Sequence, residues 1–231
     1  MRTTTAADAK LARMLQLASP ALPVGAYSYS QGLEAAVESG DVGDAASAGR
    51  WIGDVLALSV ARFEAPAWSR LYSAWQARDY DEVRRLNSWF CATRETAELR
   101  AETLQMGYSL RRLCVELGEF EPDPLEALES MEEIAFPAAH AFSAAQWELP
   151  VRDALVAYLW SWLENQVMAA LKAVPLGQTD GQKLLLRLGS RLACIADEAA
   201  NAEDPMLANF APGLAIASSV HETQYSRLFR S

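Results

Sequence analysis

The hydrophobic pattern of this chain has the period of an α-helix almost throughout, with apolar residues recurring every three or four positions. Near the start of the chain this spacing is shown by Leu11, Met14, Leu15 and Ala18. The stretch 151–174 is apolar on nearly all sides, which is typical of a buried central helix. No segment alternates apolar and polar residues in the way that is typical of β-strands. The pattern therefore predicts an all-α fold.

Prolines, glycines and polar capping residues divide the pattern into helical segments. The predicted helices cover 7–18, 32–38, 44–63, 64–77, 82–117, 125–134, 137–147, 151–174, a segment that includes 184–195, and 214–224. A break within 82–117 is expected, if anywhere, at Gly107. Because the linkers are short, we predict a single-domain helical bundle of about eight to ten helices over residues 1–231. The ends, 1–10 and 225–231, are candidate flexible tails.

The stretch 17–34, which reads LASPALPVGAYSYSQGLE, is the most unusual connection between two predicted helices. Each of its two prolines lacks a backbone N–H and disfavours helix in the residue before it. Such a stiff loop loses little conformational freedom on docking, which suits a contact surface. The candidate contact residues are Pro20, Pro23, Gly25, Tyr27 and Ser28. An ordinary helix–helix connection explains the same pattern.

The end of the chain, which reads HETQYSRLFRS from His221, combines aromatic and apolar residues with arginine. Chain termini are normally polar and frayed. The combination of aromatic residues with arginine instead matches the composition of interface hot spots. The candidate contact residues are Tyr225, Arg227, Leu228, Phe229 and Arg230. The alternative is that the last helix simply docks on its own core.

Composition and charge narrow the classes of partner. The chain has 231 residues, of which 51% are hydrophobic, and a net charge of -10. An acidic chain is not expected to bind nucleic acid, because phosphate binding needs clustered lysine and arginine. The most apolar stretch, 154–163, is too short to span a bilayer, so no membrane partner is expected.

Arg94 and Glu98 are predicted to pair at i,i+4, on a helix face that is either solvated or a partner surface.

The three cysteines are scattered singly, and no CxxC or CxxH spacing is present. This usage indicates a reducing compartment, and we expect a cytoplasmic protein without a signal peptide. Cys91, Cys114 and Cys194 are expected to be small core residues. His140 is likewise expected to be a core or boundary histidine.

Known catalytic motifs are incomplete in this sequence. The segment 177–184 approaches a P-loop, but its spacing is wrong and no Ser or Thr follows Lys183. The residues around Ser30 lack one glycine of a nucleophile elbow. A closed metal site within one chain is not expected, whereas a site shared across a dimer axis, with His221 or a cysteine as ligand, stays open. We predict no enzyme activity, no catalytic residue, no metal ligand and no cofactor.

Four blocks of sequence carry a resemblance. The start of the chain reads LASPALPVGAYSYSQGLEAAVESG, the middle RETAELRAETLQMGYSLRRL, the second half NQVMAALKAVPLGQTDGQ and the end SSVHETQYSRLFRS. Each block alone is moderately specific, but the four together, in this order, resemble the urease accessory protein UreF family. The segment 118–147 resembles nothing that we can place.

The resemblance implies a UreF-like, all-α, cytoplasmic homodimer that is not itself a hydrolase. Proteins of this family bind UreD (also called UreH) and recruit the GTPase UreG. The complex docks on apo-urease and assists nickel insertion, driven by GTP hydrolysis on UreG. Two alternatives are a regulator of UreG GTPase activity, acting through Lys172 or Arg230, and a nickel-binding chaperone in its own right.

The resemblance also implies which residues meet each partner. The segment 17–29 and the chain end from Tyr225, with His221 just before it, correspond to the region that faces UreD. The surface that meets UreG corresponds to Lys172, Pro175, Gly177, Gln178 and Gln182. Lys172 has a structural explanation as well, because a cation suits the negative C-terminal end of a helix.

Overall fold

A computed structural model describes residues 6–203 and 209–230. In these ranges the chain forms helices and no strand, which confirms the predicted all-α fold. The α-helices are α1 (Ala6–Ala18), α2 (Leu33–Glu38), α3 (Ala45–Val55), α4 (Ala65–Ala77), α5 (Tyr80–Ala92), α6 (Ala97–Leu117), α7 (Pro122–Glu129), α8 (Phe136–Gln146), α9 (Val151–Ala173), α10 (Gln178–Gly189), α11 (Leu192–Ala200) and α12 (Pro212–His221). A short 3₁₀ turn (Ala26–Ser28) and a π-helical segment (Leu56–Glu64) complete them.

Helices α3 and α4 belong to one continuous rod, joined by the π-helical segment. The boundary predicted between residues 63 and 64 lies within one residue of the start of α4 at Ala65, and Pro66 is in the first turn of α4 as predicted. The backbone nevertheless stays helical across this boundary. The amide of Ala65 bonds to the carbonyl of Val60, five residues back, and the wider turn lets the helix continue past the proline. The rod starts as predicted at Asp44, whose carboxylate accepts from the Ser47 amide at 2.7 Å.

The predicted helix 82–117 is two helices, and the break is not at Gly107. Thr96 ends the connection in an extended conformation, and its hydroxyl accepts from the Leu99 amide at 3.2 Å as the cap of α6. Gly107 lies inside α6, where a Cβ would stand 2.0 Å from the carbonyl oxygen of Ile134. This glycine therefore allows α6 to approach the start of α8 closely.

The central helix is α9, as predicted, and it packs against α1, α4, α10 and α11. Tyr158 and Leu163 on this helix are among the buried residues of the main core. Other predicted bounds differ as well: among them, α7 ends at Glu129, the segment 184–195 is divided between α10 and α11, and α12 ends at His221. Of the described helices, none is both long and apolar enough to cross a membrane.

The apolar stripe predicted on α1 is turned partly to solvent. Leu11 and Leu15 are 53% and 63% exposed, whereas Leu17, outside the stripe, is 1% exposed and anchors the helix. Helix α1 therefore exposes apolar side chains just before the proline-containing loop that follows it.

Candidate functional site

The loop between α1 and α2, residues 19–32 and here called the Pro loop, is fixed at its base and open at its tip. Gly25 has a φ of 79°, a left-handed conformation that glycine adopts without strain, and it starts the 3₁₀ turn. Tyr29 is buried and anchors the far side of the loop. The exposed side chains are those of Pro20, Ala21, Pro23 and Tyr27.

The C-terminal tail, residues 222–230, lies against α2 and the Pro loop. The amides of Leu228 and Phe229 donate to the carboxylate of Glu34 at 2.6 and 3.0 Å. The amide of Arg230 donates to the carbonyl oxygen of Ser28 at 2.8 Å. Phe229 is 6% exposed, while Leu228 is 72% exposed. Ser231 is outside the described residues.

Four ionisable residues, here called the His221 network, hold this arrangement. His221 is fully buried; its Nδ1 lies 2.8 Å from Glu98 and its Nε2 lies 3.1 Å from Glu34. Each ring nitrogen thus faces a carboxylate oxygen, and the ring bridges Glu34 on α2 and Glu98 on α6. Arg227 also donates to Glu98, at 2.8 Å. His221 and Arg227 are therefore the partners of two carboxylates that would be costly to bury alone.

Lys172, in the last turn of α9, joins the Pro loop to the tail. Its Nζ lies 6.0 Å from the ring centroid of Tyr27 and 5.5 Å from that of Phe229. Both distances suit cation–π attraction. Three segments that are remote in sequence therefore meet on one surface, which we call the composite surface: the Pro loop, the C-terminal tail and the end of α9.

The other contact residues predicted from the sequence lie around the start of α10 and on the tail. Pro175, Gly177, Gln178 and Gln182 are exposed where α9 passes into α10, next along the chain from Lys172. On the tail, the Tyr225 side chain is fully exposed. The Arg230 side chain hydrogen-bonds to Tyr29, and this bond opposes the burial and the charge of Glu102, which together raise the pKa of Tyr29.

Sequence reasoning missed Glu34 and paired Glu98 with the wrong residue. The predicted Arg94–Glu98 pair is wrong because Arg94 lies in the connection before α6 and donates to Glu64 instead, at 3.3 Å. The one available signal for Glu34 was a carboxylate within the otherwise apolar segment Leu33–Val37.

The remaining histidine and the cysteines are placed as follows. His140 is fully buried, and its Nδ1 accepts from Trp68 Nε1 at 3.1 Å. Burial lowers the pKa of His140 to about 3, so the ring is neutral, in agreement with the predicted core role. Cys91 and Cys114 are buried, but Cys194 is exposed, so its predicted core position is wrong. Across residues 6–203 and 209–230, no group of three or more His, Cys, Asp or Glu residues is arranged to hold a metal ion.

The described residues form an all-α protein whose exposed prolines, tyrosines and cations have the composition of a protein-docking surface. The family model for UreF matches residues 42–189 of the chain. The chain is 59% identical over 223 residues to the urease accessory protein UreF of Azoarcus sp. (strain BH72), covering 96% of this chain and 95% of that relative. It is 56% identical over 226 residues to that of Dechloromonas aromatica (96% and 98% covered) and 52% identical over 221 residues to that of Methylobacillus flagellatus (96% and 97% covered). The chain belongs to the UreF family, as its four sequence blocks predicted.

Proposed function

We propose that the chain is an adaptor in urease maturation, without chemistry of its own. In this proposal it acts in the cytoplasm, as a homodimer, and assembles with UreD and UreG into the complex that inserts nickel into apo-urease. Family membership supports the pathway, since the relatives carry the name urease accessory protein. The observation that carries the docking function is the convergence of the Pro loop, the tail and Lys172 on the composite surface.

UreD is the proposed occupant of the composite surface. The exposed side chains available to it there include those of Pro20, Pro23, Tyr27, Tyr225 and Leu228. The backbone of the tail is already held by hydrogen bonds from Leu228 and Phe229 to Glu34 and from Arg230 to Ser28, so little ordering entropy of the tail remains to be lost on binding. His221 and Phe229 are buried and therefore support this surface from below rather than touch the partner.

A co-purification experiment with UreD tests this assignment. Tyr225→Ser and Leu228→Ser are each expected to weaken the complex with UreD at least tenfold, because each removes a large, exposed apolar or aromatic side chain from the tail. Tyr108→Ser on α6 and Leu58→Ser in the π-helical segment are matched controls, since both residues are exposed but lie elsewhere. If the tail variants bind UreD as the controls do, the composite surface is not the UreD site.

Regulation of UreG is the second candidate function. It is favoured by Lys172 and Arg230, two exposed cations close to the same surface of an acidic chain. A cation can stabilise the charge of a transferring phosphoryl group. GTP turnover by UreG is then expected to differ between complexes that contain the wild-type chain and those that contain Lys172→Met or Arg230→Met. Equal turnover, with the complexes intact, leaves the adaptor function alone.

A further inference from the structure

A cavity of about 170 Å³ lies beneath the Pro loop, between α1, α6 and α9. At its outer end the lining residues are exposed and include Pro20, Tyr27 and Lys172. At its inner end it reaches the buried polar residues Glu64 and Arg94. The cavity thus connects the surface of the protein with a charged group in its interior.

Arg94 has an incomplete set of hydrogen bonds at this inner end. Its side chain is 9% exposed, its Nη1 donates to Glu64, and its guanidinium lies 4.2 Å from the ring centroid of Phe90. Its Nε and Nη2 atoms are buried and have no hydrogen-bond partner among residues 6–203 and 209–230. In a guanidinium group these two nitrogens share one edge, and their N–H bonds form a fork that fits the two oxygens of a carboxylate.

The rest of the lining limits the charge and size of a ligand. Glu102 also lines the cavity, where it accepts from Gln31 at 2.8 Å, so its charge disfavours a ligand with more than one negative charge. Leu99, Met106 and Phe136 supply apolar walls. An apolar cavity of about 150 Å³ holds a molecule the size of benzene, so this one suits about six non-hydrogen atoms.

We propose that this cavity binds a small aliphatic monocarboxylate, with its carboxylate on the Nε–Nη2 edge of Arg94 and its alkyl group against the apolar walls. The bound anion completes the hydrogen bonds of a buried cation, which no purely apolar ligand can do. Lys172, at the outer end, attracts an anion to the entrance. The entrance of the cavity shares Pro20, Tyr27 and Lys172 with the composite surface, whereas Arg94 lies at the inner end, and the test of this site does not require UreD or UreG.

The test compares isobutyrate with isobutyramide, a neutral molecule of the same shape, on the purified full-length chain at constant ionic strength. In titrations followed by calorimetry and by the NMR signal of the Arg94 Nε–H group, isobutyrate is expected to bind at one site and to shift that signal. Its affinity is expected to exceed that of isobutyramide at least tenfold. Absence of saturable binding, an unmoved Arg94 signal, or equal affinity for the two molecules overturns the proposal, and then water alone satisfies the fork.

Two variants test whether the ligand binds at Arg94 and close to Glu102. Arg94→Lys keeps the positive charge but removes the fork, so a loss of roughly tenfold in isobutyrate affinity is expected. Because this variant also alters the pair with Glu64, its fold is checked by circular dichroism. Glu102→Gln leaves Arg94 intact and removes the repulsive charge, so isobutyrate is expected to bind roughly fivefold more tightly, with isobutyramide unaffected. An unchanged affinity for isobutyrate in Glu102→Gln places the ligand outside this cavity.

Discussion

The carboxylate of Glu34 accepts a hydrogen bond from the backbone amide of Phe229 at 3.0 Å, between residues 195 positions apart. The same carboxylate accepts from the Leu228 amide and faces His221. One side chain of α2 therefore fixes both the last turn of α12 and the tail beyond it. This relationship makes the position of the tail depend on buried polar contacts as well as on the burial of Phe229.

Glu34→Gln is expected to loosen the tail without disturbing the helices. The amide has one acceptor oxygen where the carboxylate has two, and its NH₂ group faces a donor, so the variant cannot satisfy all three partners. Each unsatisfied buried group costs about 1–3 kcal/mol. Hydrogen exchange at the amides of Leu228 and Phe229 is expected to accelerate at least tenfold, with unchanged far-UV circular dichroism.

Glu38→Gln is the matched control for this variant. Glu38 lies on the same helix but is exposed, so its substitution is expected to leave exchange at the tail unchanged. Exchange that stays as slow in Glu34→Gln as in this control would show that Phe229 burial alone holds the tail.

His221→Ala is expected to be among the most destabilising changes to the chain. It removes the fully buried ring that bridges the carboxylates of Glu34 and Glu98, and so deprives two largely buried carboxylates of a partner. Breaking a buried ion pair by removing one partner costs about 3–5 kcal/mol. Urea unfolding measures the loss, with Val220→Ala, an exposed neighbour on α12, as the control. A loss below about 1 kcal/mol would mean that the network contributes little to the fold.

Local sequence signals were sufficient to predict many helix bounds, because caps and prolines act on the backbone of residues close to them in the chain. The predicted helices 44–63 and 151–174 start within one residue of α3 and α9, where Asp44 and Pro150 occupy the N-cap positions. The break between α5 and α6 was misplaced because an internal glycine is a weak signal, whereas the cap at Thr96 ends the connection. The close approach that explains Gly107 involves α8, which local sequence does not reveal.

The candidate site, like the fold, was predicted from the sequence only in part. The Pro loop and the tail were each singled out by local composition, because prolines and aromatic–arginine clusters are unusual where they occur. That they meet depends on Glu34 and His221, whose partners lie more than 100 positions away in the chain. No spacing rule connects residues so far apart, so their pairing required the structure.

Gly107→Ala is expected to destabilise the protein although alanine favours helix more than glycine does. The added Cβ would stand 2.0 Å from the Ile134 carbonyl oxygen, so α6 and the start of α8 must separate. Overpacking of this kind costs about 1–3 kcal/mol. Gly43→Ala is the control, because nothing lies within 4 Å of its added Cβ. Equal urea midpoints for the two variants would contradict the close contact between these segments.

His140 is expected to make stability depend on pH below neutrality. Burial lowers its pKa from 6.5 to about 3 in the folded chain, so between these values the unfolded chain binds a proton that the folded chain does not. The free energy of unfolding therefore falls as pH falls through this window, by roughly 1.4 kcal/mol per pH unit from this residue. His140→Gln keeps an acceptor for Trp68 Nε1 but does not titrate. Urea unfolding at pH 6.5 and pH 5.0 is thus expected to show a loss in the wild type that exceeds the loss in the variant by about 2 kcal/mol. Equal losses would mean that His140 takes up its proton without unfolding.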